Sequence, residues 1–90
     1  MGTALLKIKL MPEGADTDFE KVQTDAKKLL EENNAKGINF ETQPIAFGLK
    51  ALIVGFGIDE SQGLEPIENA LGKIDGVSSN ETIDFRRALE

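Results

Sequence analysis

The chain has 90 residues, 40% of them hydrophobic and 29% charged, with sixteen acids against ten bases for a formal charge of −6. That describes one globular domain spanning 1–90, and its acidity disfavours general binding to nucleic-acid phosphates. Cysteine and histidine are absent, which excludes disulfides, thiol catalysis and iron–sulfur ligation and argues against a His-dependent triad or a zinc site.

Thr3 to Met11 alternates, with Leu6, Ile8 and Leu10 on one face and Lys7 and Lys9 on the other. This is the pattern of a half-buried strand, stopped by Pro12-Glu13-Gly14. Thr17 and Glu20 have capping-box spacing, and Asp16 and Asp18 suit the positive end of a helix dipole. Phe19, Val22, Ala26, Leu29 and Leu30 then recur at helical spacing to about Asn33, with Gly37 as the expected stop. Ile38, Phe40 and Thr42 alternate with Asn39, Glu41 and Gln43 in a second strand that Pro44 bends or ends.

A third strand runs from about Leu49 to Ile58, with Leu52, Val54, Phe56 and Ile58 buried. Its other face, Ala51, Ile53, Gly55 and Gly57, is expected to meet solvent. Pro66 suits a first helical position, and Ile67, Ala70, Leu71 and Ile74 form a short amphipathic helix that Gly76 can end. Val77 to Ala88 is the last strand, with Ile83 and Phe85 on one side and Thr82, Asp84 and Arg86 on the other.

The order strand, helix, strand, strand, helix, strand predicts an α+β, ferredoxin-like sandwich. In that arrangement both helices cover one face of an antiparallel sheet, and right-handed crossovers put the first and third strands in the middle. The expected core contains Leu6, Ile8, Val22, Leu29, Leu52, Val54, Phe56, Ile67, Leu71 and Ile83. The open face should carry Lys7, Lys9, Asn39, Glu41, Ala51, Ile53, Thr82, Asp84 and Arg86.

No constellation assembles a nucleophile with a base. Asp16-Thr17-Asp18 lacks the glycine and distal glutamate of a calcium loop and reads as a helix cap. Gly72-Lys73 lacks the first glycine and the hydroxyl residue of a phosphate loop. Glu31-Glu32 and Asp59-Glu60 read as solvated surface. The chain is therefore expected to be no enzyme and to need no cofactor or metal. An RNA-recognition domain has the same order of elements but needs aromatics on its central strands, where this chain has Ala51, Ile53, Gly55 and Gly57. The longest apolar stretch, Ala51 to Ile58, is too short to cross a bilayer, and the N-terminus lacks a signal-peptide layout. The expected location is cytoplasmic, with no membrane partner.

The loop joining the second and third strands stands apart. Such loops are normally polar, yet Gln43 to Lys50 presents Ile45 and Phe47 between a rigid Pro44 and a permissive Gly48. Two readings stay open on these residues alone: Phe47 folds under the sheet as core, or it is an exposed aromatic that a partner pocket receives.

Pro44-Ile45-Ala46-Phe47-Gly48-Leu49-Lys50-Ala51-Leu52 closely resembles the Pro-Ile-Gly-Phe-Gly-Ile-Lys-Lys-Leu stretch of the elongation factor 1-beta guanine-nucleotide-exchange domain family. Lys36-Gly37-Ile38, Val77-Ser78-Ser79 and Ile83 to Leu89 are similar to flanking segments, so the resemblance covers essentially the whole chain. A domain without an N-terminal extension resembles the archaeal form of that family. The resemblance implies a partner, the translational GTPase elongation factor 1-alpha, from which the factor promotes GDP release so that GTP can reload. It implies partner contacts by Pro44, Ile45, Phe47, Gly48 and Lys50. It further implies that the C-terminal end, Arg86, Arg87 and Leu89, approaches the nucleotide and magnesium site. The family's penultimate Lys falls on Ala88 here, which leaves Arg86 and Arg87 as the nearby cations. A small-molecule-sensing regulatory domain and an RNA-binding module are the alternatives for this fold.

Overall fold

The computed structural model describes residues 2–14, 16–45 and 48–88, with residue 88 described for its backbone only. Its elements are β1 (Thr3–Pro12), α1 (Phe19–Glu32), β2 (Lys36–Pro44), β3 (Lys50–Asp59), α2 (Glu65–Gly72) and β4 (Val77–Ala88). The sheet order is β2-β3-β1-β4 and every pairing is antiparallel. This is the expected ferredoxin-like α+β arrangement, with β1 and β3 central.

Alternation in β1 places Ala4, Leu6, Ile8 and Leu10 in the core, where they meet Leu52, Val54, Phe56 and Ile58 of β3. Val22, Ala26 and Leu30 of α1 and Ile67 and Leu71 of α2 close the same core. Leu29, Ile38 and Phe40 pack against it while only partly buried.

Several local expectations need correction. The N-cap of α1 is Asp18, not Thr17: its carboxylate accepts the backbone N–H groups of Glu20 and Lys21 at 3.1 and 3.3 Å. Thr17 Oγ1 instead accepts the N–H of Gly14 at 3.2 Å and so serves the turn before the helix. The stop of α1 is Asn34, at φ 64°, not Gly37, and the Ala35 N–H returns to the Leu30 carbonyl at 2.9 Å. Asn tolerates this left-handed conformation better than most residues. The second helix ends at Gly72, so the buried Ile74 lies in the following turn rather than on the helix.

The largest difference is in β4. Lys7 pairs with Asp84 but Ile8 pairs with Thr82, so Ile83 is an extra residue in the ladder. Such a bulge resets the phase of the strand. Ile83 is 45% exposed and is not a core residue. Thr82 moves from the expected open face to the helix side, where its hydroxyl donates to Glu68 Oε2 of α2 at 2.8 Å. Beyond the bulge, Phe85 stands opposite the buried Leu6 yet is 54% exposed. On β3, Ala51 and Ile53 lie on the open face as expected but are buried rather than solvent-facing. Ile53 is flanked in register by Lys9 and Glu41, and Ala51 by Gln43. Long side chains of this kind cover apolar neighbours with their methylene stems.

Candidate functional site

The candidate contact residues fall at two ends of the sheet. At one end, Pro44 and Lys50 form the last pair of the β2–β3 hairpin, and the Ile45 N–H donates to the Leu49 carbonyl at 2.8 Å. That bond closes the loop on itself. Gly48 has φ 73°, where a Cβ is strained, and an added Cβ would meet nothing within 4 Å. The glycine is therefore required by backbone conformation rather than by crowding. Pro44, Gly48 and Lys50 are exposed and Ile45 is half-buried. Phe47, the residue on which the interface expectation rests, lies outside the described residues, as does Ala46.

At the other end, β1, β3 and β4 come together. Thr3 pairs with both Asp59 and Ala88. Arg86 stands opposite Leu5 and Arg87 opposite the buried Ala4, so alternation assigns the two arginines to opposite faces of the sheet. Arg86 Nε lies 3.2 Å from Asp84 Oδ2 on the open face. Arg87 Nε lies 3.8 Å from Glu60 Oε2. All four side chains keep substantial exposure, so each pair orients its arginine while adding little to stability. Leu89 lies outside the described residues.

Asp59 closes the same end. The Ser61 hydroxyl donates to its Oδ1 at 2.6 Å and the Ser61 N–H at 2.9 Å. These bonds, the hydroxyl first, favour the charged form and lower its pKa below the ordinary Asp value.

The sequence places Arg86 and Arg87 on a strand end but does not single out Asp84 and Glu60 as their partners. Asp84 is legible in retrospect, since residues two apart on a strand share a face. Glu60 is not, because its approach depends on how the segment after β3 turns back across β1, where its N–H binds the Gly2 carbonyl at 3.0 Å. No group of three or more potential metal-ligating side chains comes together among the described residues. No helix among them is long and apolar enough to cross a membrane.

The sheet is antiparallel, backed by two helices on one face and open on the other, with the candidate contact residues at its two ends. The family model described as the EF-1 guanine nucleotide exchange domain matches residues 5–88, and the chain belongs to that family. Among curated proteins it is similar to Elongation factor 1-beta of Methanocaldococcus jannaschii, 40% identical over 98% of this chain and 100% of that one. It is likewise 40% identical to Elongation factor 1-beta of Methanosarcina barkeri, over 97% of this chain and 99% of its relative. Elongation factor 1-beta of Methanococcus maripaludis is 34% identical over 94% and 97%. A solved structure of an uncharacterized Thermotoga maritima protein covers 91% of this chain and 96% of its own at 16% identity, with a TM-score of 0.45. The family match and these relatives support a nucleotide-exchange role in translation elongation and imply a GTPase elongation factor as partner.

Proposed function

We propose that the chain, acting as a single exchange domain in the cytoplasm, promotes GDP release and GTP reloading on translation elongation factor 1-alpha. The observation that carries this reading is the family match across residues 5–88, joined to the Pro44–Lys50 sequence that resembles the family's loop. The factor makes or breaks no bond. It binds the nucleotide-free GTPase better than the GDP-bound form, so by linkage GDP and factor weaken each other's binding by the same factor, typically about 1–3 kcal/mol.

The two ends of the sheet divide the work. Phe47, held between Pro44 and Gly48, enters a pocket on one part of the GTPase with Ile45 and Lys50 beside it. The strand end at Arg86, Arg87 and Leu89 reaches towards the nucleotide, whose phosphates and magnesium are held by the GTPase's own loop. An arginine arriving there competes with magnesium or engages a carboxylate that helps to hold it. The test is release of a fluorescent GDP analogue from the cognate GTPase. Catalytic amounts of this chain should accelerate release severalfold or more, and an unchanged release rate would refute the reading. Binding of amino acids in calorimetry, with no effect on GDP release, would point instead to a regulatory small-molecule domain.

A further inference from the structure

Next to the C-terminal strand end, the open face of the sheet holds a depression of about 270 Å³. Its floor is Gly55 and Gly57 of β3. At Gly55 a Cβ would stand 2.8 Å from Asn39 Oδ1, and at Gly57 it would stand 3.2 Å from Leu5 Cδ2. The missing side chains are what make the hollow. Leu5, 46% exposed, forms an apolar wall.

The rim is cationic although the chain is acidic. Lys7, Lys36 and Arg86 line the hollow against one acid, Asp84. Arg86 is committed to Asp84 at 3.2 Å. Lys7 and Lys36 are exposed, and neither is within 4 Å of a carboxylate among the described residues. Further along the same face the register runs from Glu41 on β2 through Ile53 on β3 and Lys9 on β1 to Glu81 on β4. The charges are mixed there. On the open face the excess of positive charge is thus concentrated at the hollow, in a molecule of net charge −6.

We propose that this hollow receives an acidic segment of the GTPase, an apolar side chain seated on Leu5 and the two glycines with carboxylates reaching Lys7 and Lys36. The proposal rests on the exchange function above and names a third contact between its two ends. Charge complementarity selects the occupant: carboxylates on a protein chain fit two separated ammonium groups around an apolar floor. A contact of this kind also speeds encounter and weakens with salt.

The test compares two charge reversals of equal size. One is Lys7→Glu with Lys36→Glu in the hollow; the other is Lys27→Glu with Lys28→Glu on the exposed side of α1. Because Lys7 stands opposite Asp84, Lys7→Gln with Lys36→Gln repeats the test without a new like-charge neighbour. Affinity for the nucleotide-free GTPase is read by calorimetry at low and physiological salt, with melting curves as the folding control. The hollow reversal should weaken binding about ten- to a hundredfold and flatten its salt dependence, and the neutral pair should do so less; the helix pair should change affinity less than about threefold. Equal weakening by both reversals would mean bulk charge alone and overturn the proposal, as would undiminished binding by the hollow variants. Citrate that shifts the Gly55 and Gly57 amides without competing with the GTPase would assign the hollow to a free small anion and also overturn it. If the unmodified chain neither binds the GTPase nor speeds GDP release, the exchange function itself fails and takes this contact with it. That outcome involves no variant and is therefore distinguishable.

Discussion

Asp18 accepts two of the backbone N–H groups that open α1, whereas Thr17 accepts one from the preceding turn. Losing a helix cap costs about 1 kcal/mol. Asp18→Ala should therefore lower stability by about that amount in urea unfolding, and Thr17→Ala by less; the reverse order would restore Thr17 as the cap. Asp59 makes a prediction about pH. Its folded pKa is depressed, chiefly by the Ser61 hydroxyl. Its stabilising contribution is therefore present above the unfolded value and lost as pH falls through the lower folded one. Ser61→Ala should move the Asp59 titration, followed by NMR, up towards the ordinary Asp value. At Phe47 the expected effect is on binding. Phe47→Ala should leave the melting temperature nearly unchanged while weakening GTPase binding by about 2–4 kcal/mol, the range of a hot-spot aromatic. A stability loss of about 3–5 kcal/mol would mark a core phenylalanine instead.

At the scale of elements, what the sequence made legible was whatever a single segment encodes in its own period. The apolar stripes of β1, β3 and α1 are of that kind, and their order with right-handed crossovers leads to the observed β2-β3-β1-β4 sheet. What escaped depends on the neighbouring strand. The bulge at Ile83 exists only in the pairing of β4 with β1, and the residues of β4 alternate without any mark of it. Reading Ile83 and Phe85 as one apolar face was sound local reasoning that pairing overrode. The helix boundaries escaped for a smaller reason: Thr17 and Asp18 both cap well, as do Asn34 and Gly37 at the other end, and backbone geometry chose between them. Of the candidate site, the loop, the strand end and Asp84 beside Arg86 are legible, but Glu60 beside Arg87 and the hollow floored by Gly55 and Gly57 are not. Both arise only when β1, β2, β3 and β4 lie side by side. The bulge gives a direct check on this account. Ile83→Ala should cost less than about 1 kcal/mol, as for an exposed side chain. Leu52→Ala, fully buried on β3, should cost about 2–5 kcal/mol. Similar losses at the two sites would mean that Ile83 is core after all.

For the whole molecule, the length of β3 sets the working distance. Ten residues separate the hairpin loop from the end where Thr3 meets Asp59 and Ala88, which at roughly 3.3 Å per residue is about 30 Å. Both central strands span that distance inside one core, so the two ends are fixed relative to each other by the sheet rather than by a linker. On the proposed reading, a rigid spacer of this length lets one domain hold the GTPase at one place and disturb it at another. It also predicts a division of effects. Phe47→Ala should act on affinity, while changes at the strand end should act on the rate of GDP release from the bound complex. Arg86 and Arg87 lie on opposite faces, so if one supplies the charge near the nucleotide, one single alanine variant should slow release much more than the other. If the shape of the strand end suffices, neither will matter, while deletion after Phe85 will. Sites this far apart with no shared partners combine within about 0.3–0.5 kcal/mol. Phe47→Ala together with the effective arginine variant should therefore show free-energy losses that add, measured as GDP-release rate over a range of factor concentrations. Coupling well beyond that range would mean that the two ends do not make separate contacts. Full release activity of the chain cut after Phe85, at unchanged affinity, would remove the strand end from the mechanism and leave exchange to the loop and the open face.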